Sequence, residues 1–174
     1  MREYELIKEY YGSKVAKRSG LPLINHIDEG IRILERLEAS TTAIQAFCLH
    51  PIIQDASSPL NKAMEIEELA DSSAIVLALE YAITANQYLP KHCKSTQDLL
   101  PYIPNLEVKQ MLIADKVQNF KDFYRTFSTR QYECNYQKLK MYFSNWLLYL
   151  KVYPVGYNSL IKGLPQWSTI IEFY

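Results

Sequence analysis

The sequence predicts an all-α fold, a helical bundle of about seven to eight helices forming one domain, and three observations predict it. Apolar residues recur at helical spacing through most of the chain. Only 5 of its 174 residues are glycine, too few for a turn-rich β fold. Ser40, Asp71 and Asn105 each stand just before an apolar-periodic stretch, where a side-chain oxygen can cap a helix.

Taken in order, Tyr4 to Arg18 reads as a first helix, stopped by Ser19-Gly20 ahead of Pro22. Asn25 to Glu38 is a second, with Ile27, Ile31, Leu34 and Leu37 at helical spacing. Ser40 caps a third, from Thr41 to about Ile53. Ser58-Pro59 offers an N-cap and a proline at the first helical position of a short helix reaching about Ala70. Asp71 caps the next, Ser72 to about Tyr88, built around Ile75, Leu79, Ala82 and Ile83. Pro90, Pro101 and Pro104 make the stretch between them mostly loop. Asn105 caps a long helix from Leu106 to about Phe127, and another runs from about Gln131 to Tyr153, where Pro154-Val155-Gly156 breaks it. A last short helix is expected from Trp167 to Phe173. With no Pro/Gly/Ser-rich linker and no repeat, residues 1–174 read as a single domain with its core at about 5–127 and an aromatic helical extension at about 130–174.

Composition narrows the function. Apolar residues make up 48% of the chain and charged residues 22%, a globular profile, and a chain this long buries about 70% of the surface its unfolded form exposes. Lys+Arg and Asp+Glu balance at 19 each, so no broad electrostatic grip on nucleic acid or anionic lipid is expected. Glu65, Glu67, Glu68 and Asp71 read as solvated surface. Met141 to Leu150, the most apolar stretch, is too short to span a bilayer, and Met1 to Tyr10 carries charges throughout rather than an apolar signal core. Cys48, Cys93 and Cys134 are far apart with no C-x-x-C, which reads as reduced thiols in a cytoplasmic protein.

Three positions carry candidate chemistry. His26 lies in the apolar arc of the second helix, with Gly30 removing bulk one turn later. His50 shares a face of the third helix with Ala43, Ala46 and Phe47. Read alone, each is first a hydrogen-bonded core histidine. In Ala114 to Phe123, residues Asp115, Gln118, Asn119 and Asp122 form one polar stripe opposite Ile113, Val117, Phe120 and Tyr124, and periodicity alone assigns that stripe to solvent. No phosphate loop, dinucleotide fingerprint, nucleophile elbow or H-E-x-x-H competes. His92-Cys93 lacks two further ligands nearby, and the aromatics between Tyr132 and Tyr157 read as core or partner surface before base-stacking platforms.

Three segments in order resemble the Rel/SpoT-type alarmone hydrolases of the HD-domain metal phosphohydrolase superfamily. Lys17-Arg18-Ser19-Gly20-Leu21-Pro22 followed by His26 is similar to their R-K-S-G-x-P-Y-x-x-H; Leu49-His50-Pro51-Ile52-Ile53-Gln54-Asp55 to their L-H-D-x-x-E-D; and Ala114 to Lys121 to their A-D-K-L-x-N-L-R. The likeness covers about residues 5 to 125 and implies an HD-like bundle. It also implies one divalent metal (manganese, iron or zinc) on His26, His50 and Asp115, with Asp55 and Gln54 at the catalytic positions. Lys17, Arg18, Lys116, Asn119 and Lys121 would then face a nucleotide or phosphate ester. Two departures fall at the chemistry. Pro51 replaces an aspartate ligand, and Gln54, which is no base near neutral pH, replaces a glutamate. These changes suit either a modified hydrolase or a non-catalytic HD-fold binding or regulatory protein. The resemblance includes no synthetase or regulatory region, so a stand-alone module is expected, with the aromatic C-terminal region as a possible homodimer surface.

Overall fold

The computed structural model describes residues 1–16, 20–95, 98–127, 134–152 and 156–164. Among them are eight α-helices: α1 (Arg2–Tyr11), α2 (Ile24–Arg36), α3 (Thr41–Gln54), α4 (Pro59–Glu65), α5 (Ser72–Asn86), α6 (Leu106–Phe127), α7 (Cys134–Tyr149) and α8 (Tyr157–Ile161), with one 3-10 turn at Pro90–His92. No strand occurs among the described residues beyond a single antiparallel bridge between Val15 and Pro22. The all-α bundle expected from the sequence is therefore the fold observed.

α3 is the centre. Its residues Ala43, Ala46 to Ile53 are all buried, and α1, α2, α4, α5 and α6 pack around it. A helix that is apolar on every side has no solvent face and belongs in the middle of a bundle. The caps work as their chemistry dictates. Ser40 Oγ accepts the Ala43 amide at 3.0 Å, Asp71 accepts from Ser73 and Ala74 at 2.9 and 3.1 Å, and Asn105 accepts from Glu107 at 2.9 Å. Ser58 makes no side-chain cap, and Pro59 alone marks the start of α4.

Several boundaries differ from expectation. The first helix stops at Tyr11 rather than Arg18, because Gly12 takes a left-handed φ of 51° and its amide closes on the Lys8 carbonyl. The chain then turns back, with Ala16 N–H on Leu21 O at 2.8 Å and Leu23 N–H on Lys14 O at 3.0 Å, and leads into α2. α2 ends at Arg36 with Glu38 at φ 52°, its amide on Glu35 O and that of Ala39 on Leu34 O. The fourth helix ends at Glu65 rather than about Ala70, and the chain continues as turns. α8 was not anticipated, and the tail helix expected at Trp167 to Phe173 lies outside the described residues.

Within the described part of the aromatic extension, α7 packs on α6. Tyr136, Tyr142, Phe143, Trp146 and Leu147 on α7 are buried. Phe143 meets Phe120 and Phe123 of α6, with ring centroids 6.0 and 5.5 Å apart. No helix among the described residues is long and apolar enough to cross a membrane.

Candidate metal centre

His26 on α2, His50 on α3 and Asp115 on α6 converge, with one potential ligand atom from each lying within 4.8 Å of the other two. The Nε2 atoms of the two histidines are 3.4 Å apart, and His26 Nε2 is 3.5 Å from Asp115 Oδ1. Among the described residues no other trio of His, Cys, Asp or Glu side chains comes together in this way. His50 and Asp115 are buried and His26 is partly exposed.

The hydrogen bonds behind each imidazole fix which nitrogen is bare. His26 Nδ1–H donates to Gln118 Oε1 at 2.7 Å. That amide cannot be reversed, because Gln118 Nε2 donates to Glu29 Oε2 at 3.0 Å and Asp122 Oδ2 at 2.8 Å, both carboxylate acceptors. Lys121 in turn holds the buried Glu29 at 2.6 Å. His50 Nδ1–H donates to the Phe47 carbonyl at 2.6 Å. That carbonyl is open because the residue four places on is Pro51, which has no N–H to give it. Both Nε2 lone pairs therefore face the same space, beside a carboxylate oxygen. Three acceptors turned on one another repel unless a cation or a proton lies between them.

Electrostatics act on His50 and Asp115 in opposite ways, favouring the neutral form of the first and the ionised form of the second. Burial, with His26 next to it, pushes the His50 pKa down to about 3, so this imidazole is neutral at physiological pH. Burial alone would raise the Asp115 carboxyl, but the Lys116 ammonium, with His26 and His50, outweighs it and holds Asp115 below the usual carboxylate range. Lys116 Nζ sits 2.5 Å from Asp115 Oδ2, over the rings of Tyr142 and Trp146 at 5.6 and 5.5 Å from their centroids. The other oxygen, Oδ1, accepts from Asn119 Nδ2 at 2.7 Å. Tyr81 on α5 lies edge-on to His50 with ring centroids 4.9 Å apart. Its hydroxyl is fully buried and faces the Asp115 carboxylate. Burial, then the charge of Asp115, keeps that phenol protonated.

The remaining residues singled out in the sequence are placed as follows. Asp55 is the C-cap of α3, exposed at the rim, and partial desolvation raises its pKa against the pull of His26. Gln54 turns to Asn86, donating to Oδ1 at 3.0 Å. Lys116 and Asn119 bind Asp115 itself rather than project into an open cleft, and Lys121 is taken up behind His26 by Glu29. Lys17 and Arg18 lie outside the described residues. His92 Nδ1 accepts the Leu89 amide at 3.2 Å and joins no ligand trio. The sequence reading missed Glu29, Tyr81 and the Phe47 carbonyl. Glu29 was legible only as a charge within an apolar arc, and nothing in the apolar run around Tyr81 marks its hydroxyl. A surface cavity of about 410 Å³, lined by Thr42, Ser72, Ser73 and Glu80 among others, lies apart from this centre.

No protein-family model matches the chain, and neither does any curated protein or solved structure compared with it.

The donor set, two imidazoles and one carboxylate, could hold a metal ion, and hydrogen bonds with Gln118, the Phe47 carbonyl and Asn119 orient the three side chains.

Proposed function

We propose that this chain is a metal-dependent phosphohydrolase of the HD type, acting on a nucleotide or alarmone-like phosphate ester. The observation that carries the metal is the convergence of two bare Nε2 atoms and Asp115 Oδ1, each fixed from behind. The reaction class rests on the three-segment resemblance. His26, His50 and Asp115 hold the ion; manganese, iron and zinc all accept such a set. A dication there supplies Lewis acidity, bringing a water toward ionisation near neutral pH and polarising a phosphoryl oxygen. Asp55, exposed at the end of α3 and within electrostatic reach of His26, would accept the proton released, and its raised pKa brings it closer to the range where a base is effective. Gln54 orients water or Asn86 but takes no proton. Lys17 and Arg18 neutralise substrate phosphate.

A second reading rests on Pro51 and Gln54: two positions that carry carboxylates in the resembled family carry no charge here, and Gln54 is engaged with Asn86. On that reading the chain binds a ligand or partner without turning it over. Metal analysis of the purified protein, followed by manganese-dependent release of phosphate or pyrophosphate from a nucleotide panel, separates the two. The hydrolase is expected to bind about one metal per chain and to lose at least about 100-fold of its rate in His50→Ala. Bound metal with a wild-type rate no higher than His50→Ala leaves the binding protein, and no metal at all removes both the centre and the hydrolase.

A further inference from the structure

The outer face of α5 joins exposed apolar side chains to acidic ones. Val76 and Ile83, 65% and 64% exposed, stand seven residues apart on one face of the helix, with Glu80 between them. Asn105 Nδ2 donates to Glu80 Oε2 at 2.8 Å, which brings the start of α6 against this face. Leu106, the next residue, is 67% exposed. Apolar side chains scattered singly over a surface are ordinary, whereas apolar side chains gathered about one place mark an interaction surface. The surface cavity of about 410 Å³ opens here, lined by Val76, by Glu80 and Glu107, and by the hydroxyl-bearing Thr42, Ser72 and Ser73.

The cavity is rich in acceptors. Glu107 accepts from Ser40 Oγ and Glu80 from Asn105 Nδ2, and both donors are neutral. The ion pairs among the described residues include neither glutamate. Both residues are half-buried, so water and salt screen them less than charges on open surface. Glu107 lies in the first turn of α6, where the helix N-terminus offsets part of its charge. Glu80 sits mid-helix in α5, where the ends of its own helix give it no such help.

We infer that this face docks a segment of a partner protein that carries a basic side chain between apolar ones. The basic group enters the cavity, where Glu80, Glu107 and the hydroxyls accept from it, and the flanking apolar side chains cover Val76, Ile83 and Leu106. Arginine suits the place best, because its guanidinium fork offers donors to carboxylates on two different helices at once. The inference is independent of the metal reading, since Tyr81, which meets His50, leaves α5 on another face.

The test uses the full chain, isotope-labelled for NMR, and a pair of probe peptides. One is acetyl-Ala-Leu-Arg-Leu-Ala-amide, and the other replaces its arginine with citrulline, a neutral side chain of the same shape. The arginine peptide is expected to shift the backbone amides of Thr42, Ser73, Glu80 and Glu107. It is also expected to bind at least about tenfold more tightly than the citrulline peptide, the worth of a hydrogen bond between charged groups. Glu80→Gln combined with Glu107→Gln is expected to remove that difference and leave citrulline-peptide affinity unchanged. Val76→Ser combined with Ile83→Ser is expected to weaken both peptides alike, by about tenfold. These positions are exposed or half-buried, so the variants are expected to fold, and their NMR spectra report it. Equal affinity for the two peptides, shifts confined to other faces, or no shift at millimolar peptide overturns the inference. A mass in solution that doubles with concentration, and stops doing so in Val76→Ser with Ile83→Ser, overturns it in favour of a second copy of this chain.

Discussion

Pro51 cannot donate to the carbonyl four residues earlier, and that carbonyl belongs to Phe47, the acceptor of His50 Nδ1–H. In the resembled family this position supplies a ligand, so proline reads from sequence only as a loss. In the folded chain it has a local consequence of its own, because an α3 without this proline would send a backbone N–H to the same oxygen. Pro51→Ala is therefore expected to separate stability from binding. It restores a helical hydrogen bond and relieves an interior proline, so the protein should gain about 1–3 kcal/mol toward urea. The restored N–H competes with His50 for Phe47 O and loosens the tautomer that bares Nε2, so Co(II) should bind several-fold more weakly. Nitrogen chemical shifts of the His50 ring report the tautomer directly. Unchanged shifts together with unchanged Co(II) affinity would reduce Pro51 to a tolerated helix defect.

At the scale of elements, α2 and α3 approach as closely as they do because Gly30 has no side chain. A Cβ there would lie 2.1 Å from Phe47 Cε1 and 2.3 Å from Cζ, and Phe47 is fully buried with no open side to move into. Alanine gains about 1 kcal/mol of helix propensity, but the overlap costs about 1–3 kcal/mol and more if backbone must shift. Gly30→Ala should lower stability by about 1 kcal/mol or more on urea unfolding, and weaken Co(II) binding because Phe47, when displaced, shifts the backbone carbonyl that accepts from His50. A variant as stable as the wild type would mean that the helices can part without strain. Much of this level was legible in the sequence. Ser40, Asp71 and Asn105 announce their helices because a cap is local chemistry, and Gly30 could be read as missing bulk one turn from His26. What faced it could not be read, since that belongs to another helix. The polar stripe of α6 shows the same limit. Its spacing assigns Asp115 and Gln118 to water, yet both are buried, because their partners Lys116, His26 and Glu29 make burial affordable. Gly12 ended the first helix early because one left-handed residue outweighed the helical pattern beyond it.

Across the whole molecule, His26, His50 and Asp115 come from helices far apart in the chain, and a cation holding them would clamp α2, α3 and α6 together around the buried centre. The aromatic face of α7 completes that arrangement from the other side, since Trp146 and Tyr142 cover Lys116 while it holds Asp115. The unfolded chain has no such convergence, so a metal held there would bind the folded state preferentially and stabilise it. At about a hundredfold excess over the dissociation constant the gain is about 2.7 kcal/mol, which for a chain of this length raises the melting temperature by about 5–10 °C. The rise should appear with Mn(II), Co(II) or Zn(II), reverse on adding a chelator, and disappear in Asp115→Asn, where an amide replaces the only carboxylate of the trio. In Lys116→Met the rise should appear at lower metal concentration, because the competing ammonium is gone. A melting temperature unmoved by all three ions would leave His26, His50 and Asp115 as a polar core whose lone pairs are reconciled by a shared proton.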